Sequence, residues 1–336
     1  MISPDERTAI RASWVLATAA ALAVLHLHLL PALLAGLLVY ELVHLLTPYL
    51  EKRIFSKRGR VAAVAILGAL IVALAAAAIT GAVVFFRSDA GNLSGLFGKM
   101  AQIIENSRAS LPDWLNDLLP PNGFDPQMAT VQWLREHAAE LRQVGKEAGL
   151  AFAHIIVGMV IGAMLATREV YHATPAGPLA TSLVERATRL GDAFRNIVFA
   201  QLRISAINTV FTAIYLAVVL PLFGVHLPFT KTLIAVTFIA GLLPVIGNLI
   251  SNSVIVVVSL AHSPQIAAAS LAFLVIVHKF EYFLNARIVG RRINARAWEI
   301  LTAMVVMEAA FGIAGLIAAP IFYAWLKSEL KASGMV

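Results

Sequence analysis

Three uncharged polar residues, Asn248, Ser251 and Asn252, follow the run Gly241-Leu-Leu-Pro-Val-Ile-Gly247 inside a stretch that is otherwise largely apolar from about Thr232 to Leu260. Amides and hydroxyls beside an unwound backbone can bind a hydroxylated solute or replace part of an ion's water shell. The same side chains can instead cap the helix that follows, since Asn and Ser are favoured N-caps. Pro244 and Gly247 are the breaking residues. At bilayer depth, broken backbone is tolerated only where protein or a water-filled cavity satisfies its N–H and C=O groups. Such a break therefore points to a transport pathway.

Glu308 is a second chemically distinctive residue, an isolated carboxylate between apolar neighbours, with Gly312 and Gly315 shortly after it. A charge at the centre of a bilayer costs roughly 2.5 to 3.5 kcal/mol on insertion scales, so it needs an explanation. It is either a titrating proton or cation site, or the structural partner of a basic group or helix end elsewhere. Glu281 lies with His278 and Lys279 near a helix end, and Asn285 extends that polar face one turn on. Interfacial pairing explains Glu281 adequately; lining the route is the alternative. Glu41 and His44 are spaced to pair across less than one helical turn.

Other chemistries find little support. The chain has no cysteine, its nine histidines are scattered, and no His-Glu-x-x-His or Gly-x-Ser-x-Gly motif is present. No enzyme, metal centre or cofactor is expected. Gly95-Leu-Phe-Gly-Lys99 lacks the spacing of a phosphate loop. Hydrophobic residues make up 60% of the 336 and charged ones 13%, with mean hydropathy +0.82. Those values mark an integral membrane protein. The net charge of +7 comes from short basic runs beside apolar segments, the pattern that orients membrane helices, and no module for nucleic acid accompanies it.

The elements that must position these residues form an all-α, polytopic membrane protein of about eight membrane segments, including two helical hairpins. Residues 1–86 hold the first membrane helices. Trp14 to Leu46 breaks near His26, His28 and Pro31 into two short spans, with one long tilted helix as the alternative. Val61 to Phe86 is a long Ala-rich span, and the basic run Glu51 to Arg60 before it belongs in the cytoplasm. Residues 87–149 carry six basic against eight acidic residues and four prolines. They form an extracytoplasmic helical insertion with amphipathic pieces at Leu96–Ser107 and Gln127–Glu147, in which Val131, Leu134, Ala138 and Leu141 share a face.

Residues 150–336 make the main membrane region. Leu150 to Thr167 returns inward carrying Gly158, Gly162 and Ala166, a stripe of small residues for close helix packing. A cytoplasmic amphipathic helix at 176–200 sets Leu183, Leu190, Phe194 and Ile197 against Arg186, Arg189 and Arg195, suited to the headgroup boundary. Ile204 to Phe223 then crosses outward. The arms around 241–248 are too short to span, so a re-entrant hairpin is expected. Pro264 to Phe283 crosses inward to Arg287, Arg291, Arg292 and Arg296 in the cytoplasm. The last apolar segment, Leu301 to Leu326, is broken by Gly312, Gly315 and Pro320 and reads as a second hairpin, leaving Lys327 and Lys331 inside; a straight final span, which would put those lysines outside, is the alternative that the charge rule disfavours.

Five motifs then occur in order: Arg195-Asn-Ile-Val-Phe-Ala-Gln201, Phe223-Gly-Val-His-Leu-Pro228, Gly241-Leu-Leu-Pro-Val-Ile-Gly247, Ile288-Val-Gly-Arg-Arg-Ile293 and Phe311-Gly-Ile-Ala-Gly-Leu-Ile-Ala-Ala-Pro320. In this the chain resembles the autoinducer-2 exporter family of permeases, most closely from about Gly191 onward. Asn248, Ser251-Asn-Ser253 and His278-Lys-Phe-Glu281 depart from the usual pattern. The resemblance implies a multi-pass secondary transporter of the bacterial cytoplasmic (inner) membrane. Its cargo would be a small polar or signalling solute, with sodium or proton exchange as the alternative. It also implies a homo-oligomer, of which a pentamer is one form. A scaffold that binds a partner through the 87–149 insertion is the reading of a different class.

Overall fold

The computed structural model describes residues 4–51, 57–88, 93–107, 138–171, 177–243, 246–288 and 296–335. They contain only helices and their connections. In order these are α1 (Pro4–His26), α2 (Leu30–Glu51), α3 (Lys57–Arg87), α4 (Leu93–Ser107), α5 (Ala138–Tyr171), α6 (Pro178–Ile214), α7 (Thr230–Gly241), α8 (Ile246–Leu260), α9 (Pro264–Ile288) and α10 (Ala297–Ala332). After Ile214, α6 continues through a π-helical turn, Tyr215–Val219, to Leu222. Six stretches among the described residues are long and apolar enough to cross a membrane. The paired arms of α7 and α8 are shorter. The all-α polytopic architecture is thus present. The 108–137 portion of the polar insertion, Val131 and Leu134 included, lies outside the described residues.

The expected break between α1 and α2 falls at His28, whose φ is +55°. The chain forms two compact units, one of residues 1–79, 145–198 and 292–336, the other of 80–144 and 199–291. In the first unit, α2 and α5 pack through their small residues. A Cβ on Gly158 would run into the backbone of Ala32, and one on Gly162 into that of Gly36. The small-residue stripe therefore serves packing within the chain, where close backbone approach replaces the hydrophobic driving force that lipid cannot supply.

Length and composition alone would make Trp298–Ala332 one span, yet the backbone reverses inside it. Gly312 has φ 60° and ψ −144°, a region open essentially to glycine alone. Gly315 packs directly on the carbonyl of Met307, and a Cβ there would collide with it. At the far end, Tyr323 Oη and Lys327 Nζ both donate to Glu299 Oε2. Residues on either side of Gly312 therefore face each other, as only an antiparallel pair permits. The arms hold about 15 and about 20 residues, or roughly 22 and 30 Å of helix. This is the second hairpin expected from the sequence.

The amphipathic helix and the following crossing, expected as separate pieces, are one continuous helix, because nothing between Thr181 and Ile214 breaks the backbone pattern. Arg186 also departs from expectation. It is only 5% exposed, packed among other helices instead of lying at a headgroup boundary. Its Nη1 donates to Glu329 Oε2 at 2.6 Å and its Nε to Ser13 Oγ at 2.8 Å. Its guanidinium also lies 4.2 Å from the centre of the Trp14 ring. Arg189 reaches the same Glu329 oxygen at 2.8 Å, and Trp325 Nε1 donates to the Arg186 carbonyl. This cluster joins the early part of α1, the early part of α6 and the end of α10.

Two outcomes test these features. Because a Cβ on Gly312 meets nothing within 4 Å, Gly312→Ala should act through the backbone alone and cost about 1 to 3 kcal/mol, seen as a lower melting temperature in detergent. Glu329→Gln, which leaves Arg186 buried without its counter-charge, should cost about 3 to 5 kcal/mol in the same measurement.

Candidate functional site

The second unit is built around the hairpin of α7 and α8. Thr230–Gly241 is a helix of 12 residues and Ile246–Leu260 one of 15, roughly 18 and 22 Å long, and each is short of a bilayer core. The arms meet closely near the tip: a Cβ on Gly247 would run into the Ala240 carbonyl. Around the arms lies an apolar core of Leu216, Leu233, Ile255 and Val258, with Leu96 of α4 packed into it.

The tip leaves backbone acceptors that a continuous helix would have used. Leu243 N–H turns back to the Ala240 carbonyl, and Gly247 N–H to that of Leu243. The Gly241 carbonyl is taken by Gln201 Nε2 at 2.7 Å, and Ser205 Oγ donates to the Phe238 carbonyl at 2.6 Å. Both donors stand on α6. One turn further, Asn208 Nδ2 donates to Asn248 Oδ1 at 3.0 Å. Further still, Tyr215 Oη lies 3.0 Å from Ser270 Oγ of α9, which is 2.8 Å from Ser259 Oγ of α8.

Gln201, Ser205, Asn208, Thr212 and Tyr215 recur every three or four residues, so they form one stripe on α6. From Ser205 to Tyr215 its members are buried, and Thr212 and Ser205 are essentially sealed from solvent. The stripe is a polar seam along the hairpin. Its last member opens the π-helical turn, and such turns inside α-helices recur at functional sites. Only Gln201 of this set appears among the sequence motifs. The spacing of five polar residues within an apolar helix is the signal that would have revealed the rest.

The residues expected to line a pathway are distributed as follows. Asn248 joins the seam through Asn208. Ser251 is 1% exposed, and its Oγ lies 3.3 Å from the Asn248 carbonyl. Asn252 is half-buried on the same helix. All three lie within α8, so N-capping does not account for them as a set. Gly247 is at the tip. Pro244 lies outside the described residues, as do the side chains of Glu281 and Asn285. Glu308, Gly312 and Gly315 belong to α10 in the other unit. Glu308 is exposed on the first arm of that hairpin and has no hydrogen-bonding or ion-pair partner among the described residues. Glu41, expected beside His44, is 4% exposed and pairs with Arg195 at 3.4 Å, while His44 stacks on Tyr40. Among the described residues no group of His, Cys, Asp or Glu could hold a metal ion.

The seam's role at the tip is testable. Gln201→Leu removes the donor to the buried Gly241 carbonyl and should cost about 1 to 3 kcal/mol. Hydrogen–deuterium exchange should accelerate locally at residues 240–248 while the far arms keep their protection; uniform acceleration would contradict a local tether.

The comparisons with known proteins follow the same line. The AI-2E family transporter model matches residues 12–333, nearly the whole chain. No curated protein matches, and no solved structure does. The matched region contains both hairpins and the polar seam, and over that extent the chain belongs to the AI-2E transporter family.

Proposed function

We propose that the protein exports a small polar or signalling solute across the bacterial cytoplasmic membrane, driven by a concentration or ion gradient. The observation that carries this reading is the α7–α8 hairpin, whose broken backbone is held by a row of uncharged polar side chains on α6. Asn248, Ser251 and Asn252 continue that polar character onto the hairpin itself. Such a surface offers both donors and acceptors to a solute and can exchange them without moving a charge through the bilayer.

The cytoplasmic side is assigned from charge. The Ser13–Arg186–Glu329 cluster puts the early part of α1, the early part of α6 and the end of α10 together. Arg7, Arg11, Arg189, Lys327 and Lys331 lie on those same stretches, and basic residues favour the cytoplasmic face.

A second reading, cation or proton exchange, is favoured by Glu308, an exposed carboxylate on an apolar helical arm. A charge in that position is costly in hydrocarbon and is explained by an aqueous or ion-bearing route beside it. Purified protein in liposomes separates the readings with radiolabelled ribose, acetate and rubidium, together with an internal pH dye. Solute export predicts ribose flux, with no rubidium or proton movement when ribose is absent. Exchange predicts the reverse, with Glu308→Gln lowering the rate at least about tenfold and flattening its pH dependence. Unchanged rate and pH profile in that variant would remove Glu308 from the pathway.

A further inference from the structure

Among the described residues, two buried side-chain atoms lack a hydrogen-bond partner: Thr212 Oγ1 and Glu329 Oε1. Glu329 already receives two guanidinium groups on its other oxygen. Thr212 has a single side-chain oxygen, is 0% exposed, and that oxygen bonds to none of the described residues. A helical threonine ordinarily returns its hydroxyl to the carbonyl one turn back, as Thr209 does to Ser205 and Thr237 to Leu233. Thr212 does not.

Its surroundings are polar on both sides along the seam. One turn before it the Asn208–Asn248 pair is closed, and one turn after it the Tyr215–Ser270–Ser259 chain is closed. These links run α6 in the same direction as α8 and set Thr212 level with the Ser251–Ile255 turn. The π-helical turn begins three residues later. An orphan hydroxyl between two satisfied polar links, beside an irregular turn, is a costly arrangement in a packed interior. Such a cost has a purpose if the hydroxyl is used when the seam is open.

We infer that the seam between α6 and the α7–α8 hairpin parts during transport, and that the Thr212 hydroxyl then hydrogen-bonds an uncharged polar group of the passing solute. The inference rests on the transporter reading above and adds the residue and the surface that opens. An ion of either sign would meet no counter-charge among the described seam residues, which carry amides and hydroxyls only.

The absence of cysteine from the chain makes the test direct. Thr212→Cys, in liposomes, is exposed to N-ethylmaleimide beside Val64→Cys, a position 2% exposed in the core of the other unit. The thiol of Thr212→Cys should react at least about tenfold faster than that of Val64→Cys; equal rates overturn the parting of the seam. In the ribose flux assay, Thr212→Val should lose about tenfold in apparent affinity, the scale of one hydrogen bond. Its melting temperature should be unchanged or higher, because the orphan hydroxyl is gone. Thr212→Ser should stay within about twofold of the parent protein. Parent-like transport by Thr212→Val overturns the hydrogen-bonding role. Ribose flux in the parent protein with an inert thiol in Thr212→Cys overturns this inference alone. A reactive thiol in that variant with no flux of any probe upholds the opening and overturns the transporter reading.

Discussion

Hydrocarbon offers no hydrogen bonds, and this constraint governs how the second unit is put together. Once α7 stops at Gly241, the carbonyls at its end must be met from within the protein. Gln201 and Ser205 meet two of them, which obliges α6 to carry polar residues on an otherwise apolar helix. Those residues obey helical spacing because they follow the hairpin along its length. Interior polarity, the broken hairpin and the continuity of α6 past residue 200 are therefore parts of one solution. An apolar α6 would leave the tip unsatisfied, and a continuous α7–α8 would need no seam.

The first unit solves a different problem, that of charge. Arg186 and Glu329 are both nearly sealed from solvent, and each is tolerable only because the other is there. Breaking such a pair costs more than forming it gains, because the survivor stays buried and unpaired. The pair is thus better read as a device that specifies which helix ends meet than as a large source of stability. Trp14 over the guanidinium and Ser13 beside it add direction, since each accepts the arginine from a fixed side.

Much of this was legible in the residues themselves. Gly312 and Gly241–Asn248 announced reversals because glycine, proline and arm length all depend on local backbone rules. Partners distant in sequence were not legible. Nothing in the neighbourhood of Arg186 distinguishes it from Arg189, and its burial depends on a glutamate 143 positions away. Glu41, with His44 beside it, also pairs with Arg195, 154 positions away. The seam on α6 was readable in principle, because its spacing is local. It is less conspicuous than a charge, since serine, threonine and asparagine are common enough in membrane helices to pass as packing.

The paired arms of α10 have a bearing on how the protein is made. Glu299 finds Tyr323 and Lys327 within 28 positions, so this hairpin needs little more than its own stretch of chain. Contacts of such short reach form early. The link between Arg186 and Glu329 is of the opposite kind, for it cannot close until the chain has grown 143 positions beyond Arg186. Until then Arg186 has its own helix in place but not its counter-ion. Order of synthesis thus makes the local hairpin independent of the distant pair, and the pair dependent on everything between its members.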